Sequence, residues 1–560
     1  MINKLWLLGI GIVAFVPIFY VALCFYMGLD FLSSFHIIGD VWNGLQAGRE
    51  FKSEVWLSLA WASILPVLSL FLLIQSRRST SYGRARFAKE SDLKKMGLNL
   101  KKGFALANFK GNPLCFDNGL SALIVAAPGT GKTSAIAVPN LLSIPTSCIV
   151  LDIKGELEAL TADYRAKELG NEVYVFDPFG SKNTFYFNPF GKEILSKLSF
   201  DETLSTCKQF ANIFIPSNAK DNDVTNHFKG KARSLFVLFA MYDITKRGET
   251  SFNDINRFPK RSAEELLNDD WLVKLLDLQK EGVLVDELNY FFKQAAEDEE
   301  LDPLLRDQAR SMSRITFKEM SSIISTLSNE EGGLGVMNDY RLIETTSKMS
   351  FSYEDLRKKN ITVYITVKEK DVKTLAPIIR VFYEAIGKNL LDKENNNPSE
   401  RVYFINDEFT RFGKLEFLLE LPALSRSYNI PGIYITQTEA QIEKYYSKED
   451  LRIVAGSVAY RAYFAINDNE TAKRVSEEVG DFTRDKVSES SQANKFLGSK
   501  NKSHEGYKLL TSQDLMNLRK DEILILALGG RGTPIKAKAN YYFKNRKFKK
   551  IIKKYGRKEI

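Results

Sequence analysis

Cysteine and histidine are scarce in this 560-residue chain, with four Cys (Cys24, Cys115, Cys148, Cys207) and three His (His36, His227, His504). No two cysteines form a CxxC pair, so neither a disulfide framework nor a zinc knuckle is encoded. The histidines are far apart in sequence, which argues against a histidine metal centre or a histidine-driven hydrolase. Internal repeats are also missing. With 44% hydrophobic and 26% charged residues the chain is not a disordered polymer, and its length leaves room for roughly two to four domains. This composition fits a bulk that is reduced and cytosolic.

A strong overall charge is lacking too, once the +9 is located. Residues 1–74 net −1, Lys544–Ile560 net +8, and the stretch between nets +2. A nearly neutral body with a basic tail makes global charge a poor argument for nucleic-acid binding. Two readings of the tail stay open: a solvated end, or a contact with anionic lipid or DNA.

Two long uncharged runs are present, Leu5–Met27 and Val55–Ile74. A bilayer core needs about 20 apolar residues in a helix, because backbone groups left unpaired in lipid are costly. A cleavable signal peptide would have a shorter apolar run and no second span behind it. Lys4 precedes the first run and Arg77-Arg78 follow the second, while the loop between them is acidic. The positive-inside bias then predicts a two-span anchor with both termini in the cytoplasm.

Further on, Ser121-Ala-Leu-Ile-Val-Ala-Ala-Pro-Gly-Thr-Gly-Lys-Thr-Ser134 reads as strand, glycine loop and helix. The phosphate-loop pattern GxxxxGK[ST] falls on Ala126–Thr133, with Ala where the first Gly is usual. Gly129 and Gly131 let successive N–H groups face one anion, and the following helix aims its positive end at the phosphates. Lys132 is expected on the β/γ oxygens and Thr133 on a magnesium ion. Ala126, Pro128, Gly129, Thr130, Gly131, Lys132, Thr133 and Ser134 are the expected nucleotide-binding set.

The second half of such a site is an apolar strand ending in acid, which Val402-Tyr-Phe-Ile-Asn-Asp-Glu408 supplies. Asp407 is expected to orient the magnesium shell and Glu408 to polarise an attacking water. Asn406 stands where an apolar residue is usual. Pro431-Gly-Ile-Tyr-Ile-Thr-Gln437 is another short buried strand with a polar end, and Gln437 is the candidate sensor of the γ-phosphate. The apolar stretch Leu415–Ser427, predicted helical with an interruption at Pro422, carries Arg426 near its end. Arg426 has two readings, a finger reaching a neighbouring subunit's nucleotide or an Arg favoured at a helix C-terminus.

These residues resemble the TraG/VirD-like coupling proteins of type IV secretion and conjugation systems, from about Gly83 to Phe543. Tyr82-Gly-Arg-Ala-Arg-Phe-Ala88 is similar to the family's opening motif, and Ala126-Ala-Pro-Gly-Thr-Gly-Lys132 to the subset with Ala-Pro before the glycines. Pro139-Asn-Leu-Leu142, Asp152-Ile-Lys-Gly-Glu156, Thr161-Ala-Asp-Tyr-Arg165, Val175-Phe-Asp-Pro178, Gln437-x3-Gln441, Asn467-Asp-Asn-Glu-Thr-Ala472 and Tyr541-Tyr542 complete the order. The resemblance implies an α/β fold: a RecA-like P-loop NTPase domain with an inserted all-α domain, preceded by two transmembrane helices.

It further implies an ATPase using ATP and Mg2+ at the bacterial inner membrane, stimulation by DNA, and a homo-hexamer. The implied partners are DNA bound without sequence preference, a relaxase or relaxosome or effector proteins, and the secretion channel. The implied roles are Lys132 and Thr133 for nucleotide and metal, Asp407 and Glu408 for hydrolysis, Gln437 as sensor and Arg426 as finger in trans. Asp152, Lys154 and Glu156 stay open between a structural loop and one lining the site. A basic end in place of the family's frequent acidic tail puts tail-mediated substrate recruitment in doubt.

The expected organisation is an anchor over 1–78, nucleotide-binding parts over 79–197 and 346–543, an inserted all-α domain over 198–345, and a basic tail over 544–560. The insertion serves partner recognition or is a stabilising cap. Asn395–Pro398 and Ser488–Ser503 read as polar connecting loops. Two functions are weighed: a motor that moves DNA and attached protein to a secretion channel, and a docking receptor that uses nucleotide only to set its shape. A septal chromosome translocase is disfavoured, because neither a long linker nor a DNA-reading terminal domain is visible.

Overall fold

The computed structural model describes residues 2–48, 50–75, 82–218, 221–490, 499–528 and 533–557. The chain divides into two compact units, residues 1–84 with 482–507, and residues 85–481 with 508–560.

In the first unit, helices Ile2–Met27 and Ser53–Gln75 pack together, joined through helix His36–Gln46. Phe19, Leu23, Val55 and Ala62 are buried in the seam, and the Trp61 indole N–H donates to the Tyr26 hydroxyl at 2.9 Å. The outward side chains are apolar as well: Ile12, Val13, Val16, Trp56, Val67 and Leu68 are all exposed. Such a surface suits lipid better than water. Among the described residues only Ser53–Leu70 is long and apolar enough to cross a membrane, and Ile12–Met27 is a shorter apolar stretch. Of the two expected spans, the second therefore has a candidate span, and the first is represented among the described residues by the shorter stretch. The front of the first predicted run, residues 5–11, lies outside the described side chains.

The same unit corrects one expectation. Residues 488–503 do not form a simple connecting loop, because strands Asp481–Ser490 and Ser499–Lys508 pair into a two-stranded sheet, with 491–498 outside the described residues. No proline interrupts either strand, so backbone N–H groups stay available for pairing even though the side chains are polar.

The second unit is built on a twelve-stranded sheet. In chain order its strands are β1 (Leu98–Asn99), β2 (Phe104–Phe109), β3 (Asn112–Phe116), β4 (Ala122–Val125), β5 (Ser147–Asp152), β6 (Glu172–Phe176), β7 (Ile361–Thr366), β8 (Val402–Asp407), β9 (Gly432–Thr436), β10 (Tyr460–Tyr463), β11 (Glu522–Ala527) and β12 (Ile535–Lys538). The spatial order is β1-β3-β2-β12-β11-β10-β4-β9-β8-β5-β7-β6. The seven strands from β10 to β6 are parallel, whereas β10 to β11 and every pairing beyond it are antiparallel. The sheet is therefore mixed. The added strands come from both sides of the phosphate-loop strand in sequence, β1–β3 before it and β11–β12 near the chain's end.

The parallel strands are covered on both faces, which is why they read as unbroken apolar runs. Along β5, Cys148 and Val150 face one core while Ile149 and Leu151 face the other. Along β8 the split is Tyr403 and Ile405 against Val402 and Phe404. The second of these cores continues into the helices between β6 and β7. Phe210, Phe236, Phe239 and Phe291 from those helices belong to the same buried cluster as Phe382 and Phe404. Among these helices are Phe200–Phe214, Asp223–Arg247, Pro303–Met312 and Phe317–Leu327. The first core holds helix Glu156–Lys167 and, against it, helix Arg546–Tyr555. The basic end is accordingly a folded, docked helix rather than a solvated terminus. Helix Glu416–Tyr428 runs through Pro422 without interruption.

Two motifs noted in the sequence turn out to brace this scaffold. Asn140 donates to the carbonyls of Ala105 (2.9 Å) and Ile136 (2.7 Å) and accepts from the Ala105 N–H (2.7 Å), tying the phosphate-loop helix to β2. Arg165 is fully buried. Its guanidinium donates to Thr362 Oγ1 and to the carbonyls of Leu141 and Ile144, each at 2.7 Å, to the Thr146 carbonyl at 2.8 Å, and to Asn171 Oδ1 at 2.9 Å. Five acceptors from four segments depend on one planar donor, and each left unpaired would cost about 1–3 kcal/mol. Arg165→Lys is therefore expected to destabilise the chain by at least about 3 kcal/mol. Thermal melting of the full chain in detergent, followed by circular dichroism, should show a drop of several degrees. An unchanged melting curve would contradict this account of Arg165.

Candidate functional site

The parallel strands place the site. β4 leads into the glycine loop, β8 ends in Asp407, and β9, which Gln437 follows, lies between them. The Ala126 N–H donates to the Thr436 carbonyl at 3.0 Å, and the Glu408 N–H to the Ile435 carbonyl at 3.0 Å, so β9 holds the ends of both neighbours. Strand order brings the glycine loop to the same edge of the sheet as two segments that lie hundreds of residues further along the chain. This is the C-terminal edge of the strands, where open α/β sheets hold ligands.

Gly129 (φ +75°) and Gly131 (φ +78°) turn the loop through backbone conformations closed to most side chains. The chain then enters a wide π-helical turn, Thr133–Ala137, before helix Val138–Leu141. Thr130 closes the loop internally, with its hydroxyl donating to the Ala127 carbonyl at 2.7 Å. Lys132 is buried to 9% exposure, and its ammonium lies 3.0 Å from Glu408 Oε1 and 3.8 Å from Asp407 Oδ1. The Thr133 hydroxyl donates to Asp407 Oδ2 at 2.8 Å. Pro128 and Ser134 belong to the same loop and turn, and no side-chain bond distinguishes them.

Glu408 is the hub. Its Oε1 also accepts from Gln437 Nε2 at 2.7 Å, and Arg411 Nε lies 3.6 Å from Oε2. The backbone at Glu408 is left-handed, φ 56° and ψ 38°, a conformation that costs a non-glycine residue about 1–2 kcal/mol. Burial pushes the Glu408 carboxyl up, but the charge of Lys132, the bonds from Gln437 and Lys132, and the charge of Arg411 outweigh it, leaving the group below its ordinary value. Asp407 is shifted the other way. Burial raises it, Lys132 and Thr133 oppose this, and the neighbouring Glu408 charge adds to the rise.

Asn406, unexplained from sequence, points to the opposite core. There the Tyr383 hydroxyl donates to its Oδ1 at 2.7 Å. Gln441, four residues beyond Gln437, accepts from the Gln437 N–H at 3.3 Å and so helps fix the chain just after β9. Arg411 and Gln441 complete the surroundings of Glu408. The i,i+4 spacing of Gln437 and Gln441 on a strand-to-helix junction was the sequence signal for the second, and Arg411 had none. Arg426 is not brought to this cluster. It is exposed near the C-terminal end of helix Glu416–Tyr428, with its backbone close to Gly119 just before β4, at the other end of the sheet from the glycine loop.

The Asp152–Glu156 loop is both structural and adjacent to the site. Asp152 Oδ2 accepts from the Glu158 N–H at 2.8 Å at the start of helix Glu156–Lys167, and Gly155 (φ +68°) makes the turn. Asp152 ends the strand beside β8. Burial pushes its carboxyl up to about 7 despite the bond from Glu158, and the charges of Asp407, Glu156 and Glu158 add to the rise. Lys154 lies close enough for its charge to act on Asp407 in the opposite direction.

The fit of a magnesium ion can be judged from the donors present. Asp407 Oδ1 is buried and has no hydrogen-bond partner, and the Thr133 hydroxyl is adjacent to the same carboxylate. Among the described residues no three His, Cys, Asp or Glu side chains converge on a metal position. That suits magnesium, which takes one or two protein oxygens and completes its shell with water and substrate phosphate. Thr133 and Asp407 fit that pattern.

The chain was compared with known proteins on this basis. The family described as Type IV secretory system Conjugative DNA transfer matches residues 84–559. Protein VirD4 of Rhizobium radiobacter is 27% identical over 512 residues, covering 89% of this chain and 69% of its own length. Conjugal transfer protein TraG of Escherichia coli is 27% identical over 388 residues, covering 65% of this chain and 56% of its own. Among solved structures, plasmid coupling protein TrwB in complex with the non-hydrolysable ATP analogue ADPNP aligns with a TM-score of 0.54 at 14% identity, over 83% of this chain and 96% of that one. Another TrwB structure holds ADP and Mg2+.

The titration of Asp152 gives a test of the site's electrostatics. Its folded value, about 7, lies above the ordinary 3.8. The charged form is therefore penalised only in the folded chain, so stability falls as pH rises from about 4 to 7 and the full penalty applies above that. Asp152→Asn keeps an oxygen for the Glu158 N–H. It is expected to stabilise the chain by about 2–4 kcal/mol at pH 8 and by almost nothing near pH 4. Denaturant midpoints across that range would show it, and parallel pH profiles for both chains would refute it.

Proposed function

The chain belongs to the Type IV secretory system Conjugative DNA transfer family, and from that premise we propose that it is a membrane-anchored coupling ATPase delivering DNA, with or without attached protein, to a secretion channel. The observation that carries the chemical half is the meeting of Lys132, Thr133, Asp407, Glu408 and Gln437 at the C-terminal edge of the strands, linked by three side-chain hydrogen bonds and the Lys132–Asp407 ion pair. The glycine-loop backbone and Lys132 receive the β- and γ-phosphates. Thr133 and Asp407 would hold a magnesium ion, which would supply positive charge to offset that of the phosphates. Glu408 accepts the proton of an attacking water, and Gln437, which shares its carboxylate oxygen with Lys132, feels the γ-phosphate come and go.

Lys132 cannot serve Glu408 and a phosphate equally. Arrival of a triphosphate draws the ammonium away and leaves Glu408 with Gln437 and Arg411, free to take a proton. The depressed titration of Glu408 keeps it ionised at neutral pH, as a base requires.

Assembly into a ring, which we take to be a homo-hexamer, is supported by where Arg426 lies. It has no partner among the described residues and is remote from its own glycine loop, so an Arg serving hydrolysis from this position acts on another copy's nucleotide. The apolar hairpin of the first unit anchors the ring at the bacterial inner membrane, with the bulk of the chain in the cytoplasm. DNA is gripped through its phosphates without base reading. Relaxase or effector proteins and channel components are the expected partners.

The test is ATP hydrolysis by the full chain in detergent, with and without DNA. Lys132→Ala should abolish turnover, and Glu408→Gln should lower it about 100- to 1,000-fold while leaving nucleotide binding intact. DNA should raise the wild-type rate. Undiminished turnover in Lys132→Ala would overturn the catalytic assignment. A transfer assay in which Glu408→Gln still delivers substrate would replace the motor with a nucleotide-gated docking receptor.

A further inference from the structure

The docked helix Arg546–Tyr555 has a face whose purpose the nucleotide site does not explain. Its apolar arc is spent: Phe548 is buried, and Ile551 and Ile552 pack half-buried on the core that contains Leu157 and Ala162 of helix Glu156–Lys167. The remaining arc, about 160° at 100° per residue, carries Arg546, Lys547, Lys549, Lys550, Lys553 and Lys554, all exposed. Lys554 lies 3.5 Å from Glu168. Among the described residues the other five have no acidic partner. Cations this close repel one another, so a face of this kind is stabilised by a polyanion.

A cavity of about 820 Å3 lies at the helix's N-terminal end, reaching Asn545. Lys110, Lys536, Lys538 and Lys544 line it together with Asn108 and Asn540. Glu522 and Asp521 balance Lys536 and Lys538, at 3.3 and 4.0 Å, which leaves Lys110 and Lys544 uncompensated.

Both ends of the segment are fastened to the nucleotide site. Before the helix, the Tyr541 hydroxyl sits 2.7 Å from the Thr130 carbonyl of the glycine loop and 2.6 Å from that of Lys520. The Tyr541 ring also occupies the space over Gly131, where a Cβ would come within 2.7 Å of it. After the helix, the Arg557 N–H donates to the Ala159 carbonyl at 2.9 Å, and its guanidinium pairs with Asp163 at 2.6 Å and with Glu158. The Glu158 N–H is the donor to Asp152, beside the acid strand.

We propose that the lysine face of helix Arg546–Tyr555, with the cavity at its N-terminal end, binds the phosphodiester backbone of a DNA strand, and that Tyr541 is a positioning residue transmitting this binding to the glycine loop. The inference rests on the proposed DNA-delivering function and assigns the contact surface that this function requires. A nucleic-acid strand fits better than a lipid surface for two reasons. The helix's apolar face is already buried and has nothing to insert into a bilayer, and the cavity adds neutral amides that suit sugar and phosphate oxygens.

The experiment uses the full chain in detergent and a fluorescein-labelled single-stranded 30-mer, with anisotropy read between 50 and 300 mM salt. For Lys547→Gln/Lys550→Gln/Lys553→Gln, loss of three phosphate contacts should make the slope of log K against log salt shallower by about 2. Affinity at 100 mM salt should fall at least about tenfold, and the melting temperature should match wild type. An unchanged slope in the triple variant, with wild type binding the oligonucleotide, overturns this surface alone. So does loss of binding to phosphatidylglycerol vesicles with oligonucleotide binding retained, which assigns the face to lipid. A wild-type chain that binds no oligonucleotide overturns the proposed function together with this surface. For Tyr541→Phe, oligonucleotide affinity should stay at the wild-type value while the ratio of hydrolysis with DNA to hydrolysis without it collapses towards one. A wild-type ratio in that variant removes Tyr541 from the coupling.

Discussion

One carboxylate oxygen, Glu408 Oε1, accepts from both Lys132 of the glycine loop and Gln437 of the neighbouring strand. Much of the second unit exists to make that meeting possible. The three residues come from distant parts of the sequence, and only the order β4-β9-β8 brings their strand ends together. The cores on both sides of the sheet hold that order, and the left-handed backbone at Glu408 aims its side chain back across the strand ends. Strain at that one residue is supported by the Glu408 N–H bond to Ile435 and by the charge of Lys132.

The neighbourhood is a balance of buried charges. Asp152, Asp407 and Glu408 crowd the acid side, and Lys132, Lys154 and Arg411 answer them. Asp407 and Asp152 are driven up by burial while Glu408 is held down, so neighbouring carboxyls have different affinities for a proton. Such a separation is what acid–base and metal-holding roles require of adjacent groups. The chain's C-terminal segment touches this balance from both directions, through Tyr541 at the glycine loop and Arg557 at the helix that follows Asp152.

The parallel half of the sheet was legible in the sequence because strands buried on both faces read as unbroken apolar runs. Val402–Ile405 and Gly432–Ile435 announce themselves that way, each with a polar residue where the strand meets the site. The glycine loop was legible because phosphate binding demands backbone turns that few sequences allow. Among the antiparallel strands, Glu522–Ala527 also reads as an apolar run, whereas β1–β3 and β12 were not legible, since their pairing is set by long-range topology rather than by local pattern. Strands Asp481–Ser490 and Ser499–Lys508 escaped because their polar side chains imitate a loop while the backbone does the pairing. The basic end left two readings open, a solvated end or an anionic contact, because net charge hides periodicity. Phe548, Ile551, Ile552 and Tyr555 at helical spacing were the signal. The role of Arg165 lay beyond sequence, since nothing local says that an arginine in a helix will satisfy carbonyls from other segments.

Isothermal calorimetry of the full wild-type chain titrated with a non-hydrolysable ATP analogue, with magnesium and then with chelator, probes the central claim most directly. Saturable binding with one class of site, weakened when magnesium is withheld because Asp407 and Thr133 lose the ion they orient, is the predicted result. A folded chain that takes up no nucleotide in either condition would contradict the account.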